Sequence, residues 1–160
     1  MAAGQEIERK FLVSEALPFD PDEHPSDPIS QGYVAIANDG TEVRIRARGD
    51  AYTLTVKSGP ARTRVEEELE IDAHQFDSLW PLTAGRRIEK TRHVLPAEGT
   101  LKIELDVYSG DLSGLVTAEL EFSSEEEADA FDPPPWLGRD VTGDARYSNQ
   151  SLATDGLPKM

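Results

Sequence analysis

The stretch that decides the fold is Glu6-Ile7-Glu8-Arg9-Lys10-Phe11-Leu12-Val13, close to the start of the sequence. A β-strand turns successive side chains to opposite faces, so this stretch would carry two carboxylates and an ammonium on one face and mainly apolar groups on the other. In one strand alone, such an ionic face would most simply be a solvated surface. The same division recurs in nearly every later strand candidate, and this recurrence predicts a sheet with one ionic face.

Period-two patterns predict eight strands, most of them separated by short turns such as Asn38-Asp39-Gly40. The predicted strands are residues 6–13, 31–37, 42–48, 51–58, 64–71, 87–95, 101–108 and 115–122. Residues 19–30 contain three prolines and are interpreted as an exposed connection. Short helices are predicted at residues 73–82, from Ser123 or Ser124 to Pro133, and around residues 146–153. We therefore expect a mainly β (α+β) fold, an eight-stranded antiparallel sheet closed into a tunnel-like barrel with a few short outer helices.

Length and composition limit the classes of protein that fit this sequence. The 160 residues, 38% of them hydrophobic, predict a single domain over residues 1–160. A net charge of -15 disfavours binding to nucleic acid or to an anionic membrane. Because cysteine is absent, disulfides, thiolate catalysis and cysteine metal sites are excluded. With no leader-like segment and no membrane-length apolar run, we expect a cytoplasmic protein.

The direction in which the ionic face points decides the predicted function. If the apolar faces pointed inward, the ionic side chains would be solvated, as in an ordinary sandwich or barrel. If the ionic faces pointed inward, the lumen would need water or a ligand, because a buried unpaired ion costs several kcal/mol. Cations alone would indicate an anion site, and carboxylates alone a calcium or magnesium site. Both together indicate a polyphosphate bound with divalent metal ions.

An ordered set of charged motifs carries a family resemblance that spans residues from Glu6 to about Asn149. The motifs are Glu6-x-Glu8-x-Lys10, Arg44-x-Arg46, Lys57, Arg64-x-Glu66-x-Glu68, Lys90-x-Arg92, Asp106 and Glu119-x-Glu121. This set resembles the triphosphate tunnel metalloenzymes, or CYTH superfamily, of the small bacterial type. The resemblance implies an eight-stranded antiparallel tunnel with a charged lumen that binds a linear triphosphate and divalent metal ions, Mg²⁺ or Mn²⁺.

The resemblance also implies roles for individual residues. The cations that would grip the phosphates are Lys10, Arg44, Arg46, Lys57, Lys90 and Arg92. The pool of metal ligands is Glu6, Glu8, Glu66, Glu68, Asp106, Glu119 and Glu121. We assign Glu8 and Glu121 to the metal ion that bridges to the substrate, and Glu6 and Glu119 to a second metal ion and the attacking water. Tyr33 either pairs with Lys10 to orient water or protonate a leaving oxygen, or is an ordinary aromatic strand residue with a polar tip.

The resemblance implies a metal-dependent hydrolase, and the small size favours cleavage of inorganic triphosphate into diphosphate and phosphate. Two enzymatic alternatives are a class IV adenylyl cyclase, which would need a purine pocket, and a thiamine or nucleoside triphosphatase. A non-catalytic sensor of polyphosphate or nucleotide is an alternative of another class, since binding and turnover would use the same cations. No nucleic-acid or membrane partner is expected, and a homodimer is left open.

Overall fold

A single antiparallel sheet of eight strands makes up most of the computed structural model of the protein, which describes residues 7–14, 16–58 and 65–159. The strands are β1 (Ile7–Leu12), β2 (Ser26–Ile36), β3 (Glu42–Arg48), β4 (Ala51–Ser58), β5 (Val65–Glu70), β6 (Arg87–Pro96), β7 (Lys102–Tyr108) and β8 (Val116–Phe122). The α-helices are α1 (Ala73–Leu79), α2 (Glu125–Ala130) and α3 (Asn149–Asp155). The prediction of eight antiparallel strands with a few short helices is confirmed.

The order of strands in the sheet is β1-β8-β7-β6-β2-β3-β4-β5. Hairpins join β2 through β5 and β6 through β8, and long-range ladders pair β1 with β8 and β2 with β6. The order ends at β1 and β5, and the described residues of these two strands are not joined by a ladder. Because β1 pairs with the last strand, the start and the end of the sheet-forming chain lie side by side.

The start of β2 differs from the sequence prediction. We interpreted residues 19–30 as an exposed connection because of their prolines, but β2 begins at Ser26 and includes Pro28. The carbonyl of Pro28 accepts a hydrogen bond from Gly49 N, just beyond the end of β3. The backbone nitrogen of Pro28 therefore points to the side where the ladder with β3 has already ended, and the missing N–H breaks no strand pairing.

The helix boundaries follow their capping residues. Asp72 caps α1 in a capping box with Gln75. The α-helix ends at Leu79, and the predicted helix to residue 82 is instead completed by a 3-10 turn, Trp80–Thr83. Ser124 caps α2, one of the two predicted starts. The last helix begins at Asn149 rather than near residue 146, because the side chain of Ser148 caps it.

The two faces of the sheet have different chemistry. The apolar face of β1, β6, β7 and β8 packs under α2 and the segment 136–140. Its buried side chains include Phe11, Leu95, Ile103, Leu105, Leu120 and Phe122. The opposite face carries Lys10, Arg46, Arg92 and Glu119, and we call it the inward face. Arg46 on β3 lies within electrostatic reach of Arg92 on β6 and of Asp106 on β7, so the sheet curves around this face.

One end of the inward face is apolar. Tyr33, Ile88 and Tyr108 pack there with Tyr147 and Leu152, the latter on α3. The C-terminal segment therefore closes this end of the curved sheet, which corrects the expectation that apolar residues would lie only on the outer side. In the described part of the chain, no helix has the length and hydropathy needed to cross a membrane.

Candidate functional site

The centre of the inward face holds a buried cluster of two cations and one carboxylate on β6 and β7. The ammonium of Lys90 lies 2.8 Å from Asp106 Oδ2. The guanidinium of Arg92 donates to both carboxylate oxygens, from Nε to Oδ1 at 2.8 Å and from Nη2 to Oδ2 at 2.9 Å. The three side chains meet because Arg92 is the register partner of Asp106 and Lys90 is the next inward residue of β6. Arg92 Nη1 also lies 3.1 Å from Oε2 of the partly exposed Glu104, so Asp106 and Glu104 together balance the charges of Lys90 and Arg92.

The ionisation of this cluster reflects competition between burial and charge. Burial lowers the pKa of Lys90 to about 8, although Asp106 favours the charged ammonium. Burial also opposes the ionisation of Asp106, but the charges and hydrogen bonds of Lys90 and Arg92 keep the pKa of Asp106 below its usual value. Arg92 is desolvated too, yet its bonds to Asp106 raise its pKa. In this cluster, Asp106 is therefore ionised and Arg92 is positively charged. The pKa of Lys90, about 8, is close to neutral pH.

A second cationic group lies on β3. Arg44 is 7% exposed, and its Nε has no hydrogen-bond partner within the described residues. Arg46 donates from Nε to Oε1 of Gln31 on β2 at 2.9 Å. Burial, together with the neighbouring charges of Arg44 and Arg92, lowers the pKa of Arg46 to about 10. Three guanidinium groups thus repel one another across β3 and β6, and this arrangement favours a bound anion.

Lys10 connects the inward face to the C-terminal segment. Its ammonium donates to the carbonyl oxygen of Tyr147 at 2.5 Å and lies 3.5 Å from Glu119 Oε1 on β8. The contact with Glu119 follows from the register, in which Lys10 is directly opposite Glu119. The first-strand lysine is therefore held by a predicted site carboxylate and by the segment that closes one end of the sheet.

Lys57, Glu66 and Glu68 lie toward the β5 side of the inward face. The ammonium of Lys57 is 3.9 Å from Glu66 Oε2, in a partly exposed pair. Glu68 accepts a hydrogen bond from Thr55 at 3.2 Å. The structure thus places these three predicted site residues on two neighbouring strands, and their roles in the site stay predictions.

Tyr33 is buried on β2, next to a bulge in its pairing with β3. Burial raises the pKa of its hydroxyl to about 12, while a hydrogen bond and the charge of Arg44 act in the opposite direction. The contacts of Lys10 are Glu119 and Tyr147, whereas Tyr33 contacts Arg44. The pairing of Tyr33 with Lys10 stays a prediction.

Carboxylates face one another across the strands at the other end of the inward face. The register places Glu8 opposite Glu121 and Glu104 opposite Glu119. Like charges directly opposite each other destabilise a sheet unless a cation lies between them. Glu104 and Glu119 already have cationic partners, Arg92 Nη1 at 3.1 Å and Lys10 Nζ at 3.5 Å. The pair of Glu8 and Glu121 offers the carboxylate oxygens that Mg²⁺ and Mn²⁺ prefer, and it fits a divalent cation that also contacts phosphate oxygens.

Three facts bear on how the described residues could hold a metal ion. Within residues 7–14, 16–58 and 65–159, no three carboxylate or imidazole groups converge closely enough to form a complete metal site. Glu6, a predicted ligand, lies outside the described residues. Both oxygens of Asp106 are bonded to Lys90 and Arg92, and its assignment as a metal ligand stays a prediction. The fit to a divalent cation therefore depends on Glu8, Glu119 and Glu121 together with a phosphate ligand.

Sequence reasoning missed several buried polar residues on the inward face. These residues are Gln31, Glu42, Thr55 and Thr117. Gln31 and Glu42 follow the same two-residue spacing that identified Tyr33 and Arg44, so the sequence contained a signal for both. Gln31, Thr55 and Thr117 carry no formal charge, whereas Glu42 is a carboxylate that stands outside the charged motifs.

The inward face opens at the end opposite α3. A cavity of about 600 Å³ there is lined by Arg48, Glu104 and Glu121 among others. Its size is within the range of small-molecule sites. The cavity lining combines three carboxylates, Glu104, Glu121 and Glu127, with Arg48, Lys102 and uncharged side chains.

A curved antiparallel sheet with buried cations beside carboxylates on its inward face is a class of structure that suits a compact polyanion and divalent cations. Residues 4–156 match the CYTH domain family, and the chain belongs to that family. The prediction of the family from the charged motifs is thereby confirmed.

The relatives of this chain match it over nearly their whole lengths. An inorganic triphosphatase of Nitrosomonas europaea is 47% identical over 148 residues, which are 92% of this chain and 96% of the relative. An inorganic triphosphatase of Acetivibrio thermocellus is 36% identical over 155 residues, 93% of each chain. The crystal structure of the inorganic triphosphatase NE1496 is similar with a TM-score of 0.75 and 45% identity, covering 93% of this chain and 94% of that chain.

Proposed function

We propose that this protein hydrolyses inorganic triphosphate to diphosphate and phosphate with the help of a divalent metal ion. The observation that carries the proposal is the group of cations at the centre of the inward face, where Arg46 lies within electrostatic reach of both Arg44 and Arg92 while both oxygens of Asp106 are already bonded. A linear triphosphate has the charge and the length to contact these groups together. The names of the two relatives support the same substrate.

We assign roles to the residues that the charged motifs identify, and their positions on the inward face support this assignment. Arg44, Arg46, Lys90 and Arg92 bind the non-bridging oxygens and hold the chain of phosphates in line. Glu119 orients a water molecule and accepts its proton as the water oxygen attacks a terminal phosphorus. The P–O bond to the diphosphate breaks, and Lys10, 3.5 Å from Glu119, stabilises or protonates the leaving oxygen.

The proposed metal ion is Mg²⁺ or Mn²⁺. Glu8 and Glu121 would hold the ion that contacts the substrate, and Glu119 with Glu6 would hold a second one. When bound, such an ion neutralises charge on phosphate oxygens that the guanidinium groups do not reach. Removal of divalent ions with a chelator should therefore abolish turnover.

A phosphate-release assay tests the proposal directly. Wild-type protein is compared on inorganic triphosphate, ATP and thiamine triphosphate with Mg²⁺ or Mn²⁺, and ATP reactions are also examined for cyclic AMP. We expect triphosphate to be the preferred substrate. Cyclic AMP as the main product would instead favour the cyclase, and binding without release of phosphate would favour the sensor.

Two variants of the site separate binding from chemistry. Lys10→Ala should raise KM about ten- to a hundredfold and also lower kcat, because a charged donor to the phosphates is lost.

Glu119→Gln should lower kcat by about two to four orders of magnitude with little change in KM, because general-base function is lost. Glu67→Gln makes the same change on the outward, exposed side of β5 and should behave as wild type. Normal turnover by Glu119→Gln would show that its assignment is wrong.

The cytoplasmic location and a homodimeric state stay predictions.

A further inference from the structure

Gln31 is a neutral residue at the centre of the cationic inward face. It is 0% exposed and lies between Arg46 of β3 and Ile88 of β6 in the register of the sheet. Its neighbours on the same face of β2 are Ile29 and Tyr33, each 1% exposed. A side-chain amide is costly to bury in such surroundings unless its polar atoms are hydrogen-bonded.

The chemistry of Arg46 fixes the orientation of this amide. A guanidinium has only donors, so the atom of Gln31 that faces Arg46 Nε at 2.9 Å must be the carbonyl oxygen Oε1. The amide nitrogen Nε2 then points away from Arg46. Nε2 is buried and has no hydrogen-bond partner among the described residues. The oxygen of this amide is therefore hydrogen-bonded, whereas its nitrogen has two donor hydrogens without an acceptor in the described residues.

A second buried donor near Arg46 also lacks an acceptor within the described residues. Arg44 also has a buried Nε without a partner in the described chain, and Arg46 feels the charges of Arg44 and Arg92. Both oxygens of Asp106, the carboxylate that acts on Arg46, are already bonded to Lys90 and Arg92. This part of the inward face thus has more donors than acceptors, and an anion with several oxygens would correct the imbalance.

We propose that Gln31 is a substrate-binding residue, which holds the guanidinium of Arg46 with Oε1 and donates from Nε2 to a phosphate oxygen of the triphosphate. The inference rests on the proposed triphosphatase function. It adds a neutral donor to the charged groups that the sequence motifs identify. It also explains why the residue at this position is an amide, since a carboxylate would hold Arg46 equally well but would repel the substrate.

Two substitutions separate the proposed role from a purely structural one. Gln31→Glu keeps an acceptor for Arg46 but replaces the donor with a negatively charged oxygen. Gln31→Met is close in size and removes both interactions. If Gln31 only held Arg46, Gln31→Glu would match wild type and Gln31→Met would be the weaker enzyme. If Nε2 binds phosphate, Gln31→Glu should be the weaker of the two, with KM for triphosphate raised about tenfold to a hundredfold and kcat reduced less.

The experiment measures KM and kcat for triphosphate with Mg²⁺, together with the melting temperature of each variant by circular dichroism. Gln75→Glu is the matched control, because a carboxylate at that exposed position still completes the capping box of α1 and adds the same charge. A folded Gln31→Glu protein with wild-type KM would overturn the inference even if Gln31→Met failed to fold. If wild-type protein neither bound nor cleaved triphosphate, the proposed function would fail instead, so the two failures are distinguishable.

Discussion

The ammonium of Lys90 lies 2.8 Å from Asp106 and 5.3 Å from the centre of the Tyr108 ring, with none of its side chain exposed. Burial lowers its pKa to about 8, and the charge of Arg92 acts in the same direction against the opposing effect of Asp106. Lys90 therefore retains its positive charge at neutral pH but loses it at a pH where other lysines are still protonated.

The titration of Lys90 predicts an alkaline limit to substrate binding. As pH rises through about 8, the free enzyme loses the Lys90 proton and with it one positive charge for the phosphates, so kcat/KM for triphosphate should fall. Well below that pH, Lys90 is already protonated, and its ionisation should not change kcat/KM any further. The measurement is kcat/KM between about pH 6 and pH 10 at constant free Mg²⁺.

Lys90→Arg provides the comparison, because a guanidinium keeps its charge over this pH range. The ionisation of triphosphate is common to both proteins and cancels when their profiles are divided. The variant should lose the decline near pH 8 even if its activity is lower throughout. An unchanged decline would show that Lys90 is not the titrating group.

At the scale of elements, β1 contributes to both faces of the sheet. Lys10 reaches the inward face, whereas the guanidinium of Arg9 crosses the outward side to the end of α2. There Arg9 Nη1 donates to the carbonyl oxygens of Ala128 and Phe131 at 3.1 and 3.0 Å, and Nη2 pairs with Asp140. The last carbonyl groups of a short helix have no partner within the helix, and Arg9 supplies one from a neighbouring strand.

Removal of this contact should lower stability without affecting chemistry. Arg9→Met keeps most of the aliphatic stem but leaves the Phe131 carbonyl without this donor and removes one of the donors to Ala128 and Asp140, which keep bonds from Phe131 N and Thr142, so we expect a loss of about 1–3 kcal/mol. For a chain of this size, each kcal/mol corresponds to a melting temperature lower by about 2–4 °C. Thermal unfolding and kcat/KM at 25 °C measure the two properties separately.

Arg146→Met is the matched control, because Arg146 forms an exposed pair with Asp144 at the surface. Exposed ion pairs contribute little to stability, so this variant should melt close to wild type. Equal melting temperatures for Arg9→Met and Arg146→Met would contradict the role assigned to Arg9.

For the whole molecule, positive charge is buried at the centre of the inward face although the net charge of the chain is negative. The chain has a net charge of -15, yet Arg44, Lys90 and Arg92 are buried on its inward face, with Arg46 beside them. Apolar packing of α3 closes one end of this face, and the cavity at the open end has a mixed charged and apolar lining. The fold thus stores mutual repulsion among buried cations that a bound polyanion would relieve.

Triphosphate should therefore stabilise the fold even without metal ions. In the presence of a chelator, which prevents turnover, a concentration of about 100 times Kd should add roughly 2.7 kcal/mol to the free energy of unfolding. The corresponding rise in melting temperature is roughly 5–10 °C. Differential scanning fluorimetry over a series of triphosphate concentrations measures it.

Sodium sulfate at equal ionic strength controls for salt effects, because it offers a single compact anion and should give a much smaller rise. Arg44→Ala should reduce the effect of triphosphate, since one guanidinium with an unused buried donor is removed. No rise at millimolar triphosphate would contradict the view that the buried cations form its site.

The sequence by itself determined the strands, the division of their faces and the family, because alternation of charged and apolar residues is a local property that one strand already expresses. It also placed Lys10, Arg44, Arg46, Lys90, Arg92 and Glu119 on the ionic face. It was wrong about the start of β2, since the prolines near Pro28 argue against a strand when the neighbouring ladders are unknown.

Only the tertiary structure decided how the ionic residues share partners. That Asp106 serves both Lys90 and Arg92, that Tyr147 binds Lys10, and that Gln31 has a buried amide nitrogen without a partner depend on register and packing between residues far apart in the chain. Closure of one end by α3 is likewise a long-range contact. Strand alternation fixes the face of a side chain, but burial and partners depend on which strands and helices lie beside it.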